Sequence, residues 1–261
     1  MNFRSFGTVS ADTSFRNQTV HSQRTCSVLK PTKNNLISLI GSAGLLVASA
    51  NANTVTFVTP SGATTTGGPV DASATFQTSA NKLSITLQDL LANPTDVAQL
   101  ISDLSFTLSS GQTSGTLTSS SGVQRTVNGN NSGQFVDSSL PVDTGWVLAG
   151  LHLDVLGTPI GPAHLIIGPP GPGNAYSSAN GSIAGNGPHN PFLTGPVTFN
   201  ITISGLTASD TVNSAIFSFG TTEGAELVHG IPQITAPDGG TTVLLLGSAL
   251  AGLGLLRRKL C

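Results

Sequence analysis

Trp146, His152 and Asp154 are the residues with the clearest means of gripping a ligand. Trp146 is the single tryptophan of the chain, and a flat indole can stack on a sugar ring while its N–H seeks a partner. All three positions are even-numbered within Trp146–Val155. The odd positions there (Val147, Ala149, Leu151, Leu153, Val155) are apolar. If the segment is one strand, its period of two puts the three on one face, opposite the apolar set. Asp154 would then accept hydrogen bonds from sugar hydroxyls. The same spacing also fits a Trp146 that is covered by a neighbouring loop and serves as core.

Other constellations are weaker. His152, His164, His189 and His229 are imidazoles, common metal ligands, but their spacing matches no local metal motif. No run of Asp has the spacing of a calcium loop. Asp143 with Asp154, or Glu223 with Glu226, could supply the two carboxylates of a glycosidase; any acidic domain offers such pairs. There is no Gly-x-Ser-x-Gly elbow, His-Glu-x-x-His, phosphate loop or EF-hand loop. The two cysteines, Cys26 and Cys261, lie near the chain ends, which leaves the middle without a disulfide, zinc thiolate or thiol nucleophile. The expectation is no catalytic residue, no metal and no cofactor.

The elements that would position these residues read as strands. The chain has 261 residues, of which 8% are charged and 38% hydrophobic, with Gly 31 and Pro 15. So few charges disfavour helices built on Glu/Lys faces. Leu83, Ile85 and Leu87 alternate with Ser84, Thr86 and Gln88, as do Val197, Phe199, Ile201 and Ile203 with Thr198, Asn200, Thr202 and Ser204. Shorter runs sit at 55–58, 72–78, 104–108, 123–127, 134–136, 165–167, 215–219 and 226–228. This alternation marks antiparallel strands with one wet face. It predicts a mainly β domain, an antiparallel β-sandwich or jelly-roll-like ectodomain, over 53–231. One short helix is expected over 94–103, with Asn93 as cap, Pro94 at its first position, and Val97, Leu100, Ile101 and Leu104 at helical spacing. A Gly- and Pro-rich loop spans 157–196.

Charge is segregated. From Asn53 to Ala236 two cations, Lys82 and Arg125, face ten carboxylates, a net charge of −8. Such a domain repels nucleic acid. Five basic residues precede an apolar stretch, Leu36–Ala48, that ends in Ala50-Asn51-Ala52. A basic flank, a short apolar core and a small-x-small exit form a secretory signal peptide, with a helix over its core. Cleavage is expected after Ala52, with Ala48-Ser49-Ala50 as a second site. Residues 1–52 form this extended leader. A translation start at Val28 would shorten it to Val28–Ala52, and the intact mass of the precursor decides between the two starts.

Residues 232–261 hold the most specific pattern. Pro237, Asp238, Gly239 and Gly240 form a turn, Thr241–Leu256 is weakly polar to apolar, and Arg257, Arg258 and Lys259 follow. Sixteen helical residues reach roughly 24 Å, short of a hydrocarbon core of roughly 30 Å, and flanking cations can snorkel across part of the difference. A C-terminal transmembrane helix with its basic end in the cytoplasm is expected.

This tail resembles the PEP-CTERM class of bacterial sorting signals, in its Val-Pro-Asp-Ser-Gly variant. Pro237 and Asp238 match the motif, Val243–Leu256 the helix, and Arg257 and Arg258 the cluster. Ala236 replaces Val and Gly239 replaces Ser. The resemblance implies recognition by an exosortase after passage through the export machinery, cleavage near Pro237, and a host that makes exopolysaccharide and matrix. The expected function is an exported surface or matrix protein with a structural or adhesive role. The alternatives are a secreted carbohydrate-binding module using Trp146 and, further off, a matrix glycan hydrolase.

Overall fold

The computed structural model describes residues 52–128, 133–156, 164–177, 179, 181–185, 187, 189–233 and 247. The chain divides into two compact units, Met1–Val47 and Ala48–Cys261; all described residues belong to the second. The expected signal helix lies outside them. So does the expected C-terminal helix, apart from Gly247. Among the described residues no helix is long and apolar enough to cross a membrane.

Among the described residues fifteen strands follow one another. They are β1 (Asn53–Val58), β2 (Thr64–Thr65), β3 (Gly68–Pro69), β4 (Ala72–Ser79), β5 (Lys82–Asp89), β6 (Ile101–Leu108), β7 (Thr116–Val127) and β8 (Phe135–Asp137), then β9 (Val147–Ala149), β10 (His152–Asp154), β11 (Ile166–Ile167), β12 (Phe192–Thr202), β13 (Val212–Phe219), β14 (Leu227–His229) and β15 (Ile231–Gln233). Thirteen belong to one hydrogen-bonded sheet, and β2 and β3 form a separate hairpin. The mainly β expectation holds. The main path runs β14-β13-β6-β11-β12-β5-β4-β1-β15, with β10 and β9 branching from β6, and β7 and β8 from β12. Every pairing is antiparallel except β11 with β12.

Alternation in sequence becomes alternation in burial. Along β5 Leu83, Ile85 and Leu87 are buried while Ser84, Thr86 and Gln88 are half-buried on the other face. Burying each such side chain contributes roughly 1.5–3 kcal/mol. The turn from β4 to β5 places Asn81 at φ 58°, a conformation that Asn tolerates better than most residues.

The sheet rolls over onto itself. The Phe76 ring on β4 lies 5.4 Å from that of Phe106 on β6, although the two strands are not neighbours in the sheet. Phe57 meets Phe76 edge-on at 5.9 Å. At one seam a single stretch of chain serves both rims: β14 pairs with β13, Gly230 intervenes, and β15 pairs with β1.

The expected helix over 94–103 is replaced by one turn of 3-10 helix, Val97–Gln99. Its cap is Asp96, with a reciprocal bond from the Asp96 N–H to the Gln99 side chain. Asn93 sits at φ 56°, outside the extended region a helix cap requires. Leu100 is already extended, because Ile101 and Leu104 enter β6. The expected loop over 157–196 also contributes strand: Ile166–Ile167 and the start of β12 pair in parallel.

A Cβ on Gly230 would lie 3.0 Å from the Phe217 ring, 3.1 Å from Ala215 O and 3.1 Å from Phe57 Cβ. Overpacking of this kind costs about 1–3 kcal/mol. Gly230→Val is therefore expected to lower the urea midpoint by that equivalent; an unchanged midpoint would contradict the seam.

Candidate functional site

Trp146–Val155 is a hairpin rather than one strand. β9 and β10 pair with Leu148 opposite Leu153, around a Gly150-Leu151 turn with Gly150 at φ 66°. A two-residue turn pairs even positions with odd ones, so it reverses which set faces inward. Trp146 consequently points into the core, 3% exposed, with its ring 5.3 Å from Phe199 and its Nε1 donating to His164 O at 2.9 Å. The expected shared face of Trp146, His152 and Asp154 is thereby corrected, and the indole is not available for stacking on a sugar.

His152 and Asp154 do share a face, with residues that sequence reasoning missed. β10 pairs with β6, placing Asp154 opposite Asp103 and His152 opposite Ser105. On the other side of β6, Ser218 of β13 lies opposite Asp103. The His152 Nε2 stands 3.4 Å from Asp103 Oδ1. Asp154 accepts the Leu156 N–H at 2.7 Å. Asp103 is 1% exposed. Its burial pushes its carboxyl above the usual range, against the pull of Ser218 and His152. The cluster holds the half-buried His152 ring against a buried carboxyl. It offers no open path for a substrate to the Asp103 carboxyl.

The remaining candidates scatter. His164 directs Nδ1 to Thr144 O at 3.2 Å, and burial holds it below the ordinary histidine range. His229 lies on β14. Asp143 accepts Ser120 Oγ at 2.7 Å, which lowers it. Glu226 accepts the Thr66 N–H at 3.0 Å and hydroxyl at 2.6 Å. Among the described residues no group of three or more His, Cys, Asp or Glu is arranged to hold a metal ion.

A second polar network also escaped the sequence. Arg125 on β7 forks onto Asp137 of β8, Nε to Oδ1 at 2.7 Å and Nη2 to Oδ2 at 2.6 Å. Its guanidinium lies 3.8 Å above the Phe135 ring. Nη1 donates to Tyr176 Oη at 2.9 Å, and Tyr176 Oη donates to Gly168 O at 2.8 Å. Gly168 in turn packs beside Asp89, which is 2% exposed. The rarity of cations in the domain was the one available signal for Arg125. This network pins the long loop.

The sorting residues lie elsewhere. Ala52 is half-buried at the start of β1. Ala50, Pro237, Asp238, Gly239, Gly240, Arg257, Arg258 and Lys259 lie outside the described residues. Residues 237–260 match a VPDSG-CTERM motif. The VPDSG-CTERM tail supports a PEP-CTERM-like sorting signal and implies export to the cell envelope and processing by the exosortase system. No curated protein matches the chain, and no solved structure does.

Two measurements check this chemistry. Tyr176→Phe leaves Arg125 Nη1 and Gly168 O without that partner, and is expected to cost about 1–3 kcal/mol in urea unfolding. Burial pushes the Asp89 carboxyl well above its usual range. A raised acid favours folding fully below its unfolded pKa, about 3.9, and that contribution is lost as pH rises through the folded value. The stability of Asp89→Asn relative to the native protein should therefore increase from pH 4 to pH 8; a pH-independent difference would refute the shift.

Proposed function

We propose that this chain is an exported surface or extracellular-matrix protein with a structural or adhesive, non-enzymatic role. The match of residues 237–260 to a sorting motif carries the reading. Three further features support it. Apart from Lys82, the wet faces of these strands are built from Ser, Thr, Asn and Gln rather than charge. The buried polar clusters serve to pin loops. The net charge of −8 over 53–236 keeps such a domain soluble in a crowded envelope.

In this reading the rolled sheet is a flattened, jelly-roll-like sandwich. Its layers are β8-β7-β12-β5-β4-β1-β15 and β9-β10-β6-β13-β14. Residues 1–52 act as a cleaved leader that carries the signal peptide. Residues 241–256 anchor the precursor in the membrane until an exosortase acts near Pro237. Exopolysaccharide of the envelope is the expected neighbour of the released or re-attached domain.

The intact mass of the native protein, with cells separated into membrane, surface and medium, tests the proposal. The expected species begins at Asn53, ends near Pro237, and is found at the surface or in the medium. A species that keeps Leu260 in the membrane fraction would reduce the tail to a plain anchor and remove the exosortase from the account.

A further inference from the structure

The wet face of the sheet is ordered into rows by strand register. Thr56, Thr75, Thr86, Thr198 and Ser121 stand side by side across β1, β4, β5, β12 and β7. The next row is Thr54, Gln77, Ser84, Asn200 and Ser119. Beyond it come Ser79, Lys82, Thr202 and Thr116. A groove of about 340 Å³ opens on the last two rows, within the roughly 300–1,000 Å³ of small-ligand sites. Gln77, Ser79, Lys82, Ser84, Asn200 and Thr202 carry its polar lining.

We propose that this groove binds a sugar chain bearing widely spaced carboxylates, a uronic-acid-type glycan. The proposal goes beyond the sorting reading and stands whether or not the tail is processed.

The lining chemistry selects the ligand. Amide side chains both donate and accept, and hydroxyls do likewise, which suits a ligand made of hydroxyls. Asn200 Nδ2 donates to Ser119 Oγ at 3.0 Å, which fixes the amide and turns its oxygen toward other partners. Gln77 makes none of the side-chain hydrogen bonds found among the described residues. Leu83 and Ile201, which also line the groove, are each 1% exposed.

Charge then decides between neutral and anionic glycans. No carboxylate lines the groove, although the domain carries ten. Its two Lys and Arg residues are Arg125 and Lys82, and Arg125 is spent on Asp137. Lys82 thus supplies the free ammonium, and it stands in the groove. One cation suits a sparsely charged chain. A polyphosphate backbone needs several cations over the same length.

The test uses the full-length chain in detergent and measures Kd by calorimetry. The probes are a hyaluronan oligosaccharide, which carries one carboxylate for every two sugars, and a neutral dextran oligosaccharide of equal length. The expected result is hyaluronan binding at least tenfold tighter than dextran binding. Lys82→Gln should abolish that preference, and Gln77→Ala with Asn200→Ala should weaken hyaluronan binding at least tenfold. Ser214→Ala, on β13, should change nothing. In the unaltered protein, hydrogen exchange should slow on β4, β5 and β12 when hyaluronan is added, a readout that does not depend on any variant folding. Absence of hyaluronan binding, equal binding of both probes, or protection confined to other strands each overturns the proposal.

Discussion

Gly230 carries the last strand from one rim of the sheet to the other, and the interior depends on that passage. β14 before it is bonded to β13, and β15 after it is bonded to β1. Phe217, Ala215 and Phe57 crowd the point of crossing so closely that a side chain there would have to push them aside. With the rims joined, Phe57, Phe76 and Phe106 meet across the interior. The segment 53–231 has no disulfide to do this work, so hydrogen bonding between strands distant in sequence does it instead.

The buried polar groups complement that closure. Arg125 gathers Asp137, Phe135 and Tyr176 from separate parts of the chain, and Tyr176 passes the chain of bonds on to Gly168. A segment rich in Gly and Pro is thereby tied down by directional bonds as well as by buried side chains such as Leu165, Ile183 and Phe192. Removing one partner from such a network leaves the other unpaired in a dry setting, which is why it specifies one arrangement. The Asp103, Asp154 and His152 cluster orders the β10 side of β6 in the same way.

The strands were legible where alternation was long and local, as at Leu83, Ile85 and Leu87. The segment 94–103 misled because Val97, Leu100, Ile101 and Leu104 satisfy helical spacing while belonging partly to a turn and partly to β6. Trp146 misled for a different reason. Even positions share a face only along an unbroken strand, and the turn at Gly150 and Leu151 inverts that parity. The hydroxyl and amide rows could not be read at all. Gln77, Ser84 and Asn200 become neighbours through register between strands, and no local pattern encodes register across such separations. The tail was the opposite case, a contiguous motif whose meaning lies in the order of its residues.

The pairing of β1 with β15 has a mechanical consequence. Gln233 lies opposite Thr56 in the middle of β1, and three residues separate Gln233 from Pro237. Tension entering at Gln233 and directed along the strand loads the bonds between β15 and β1 in shear. They share the force rather than parting one after another as in a zipper. From β1 the load passes sideways to β4, β5 and β12, each antiparallel to the last. A domain held by its C-terminal end and pulled by something bound on that wet face would pass the force through the three-residue ladder of β15 and β1 into the longer ladders of β4, β5 and β12, leaving the Arg125 loop outside the line of stress.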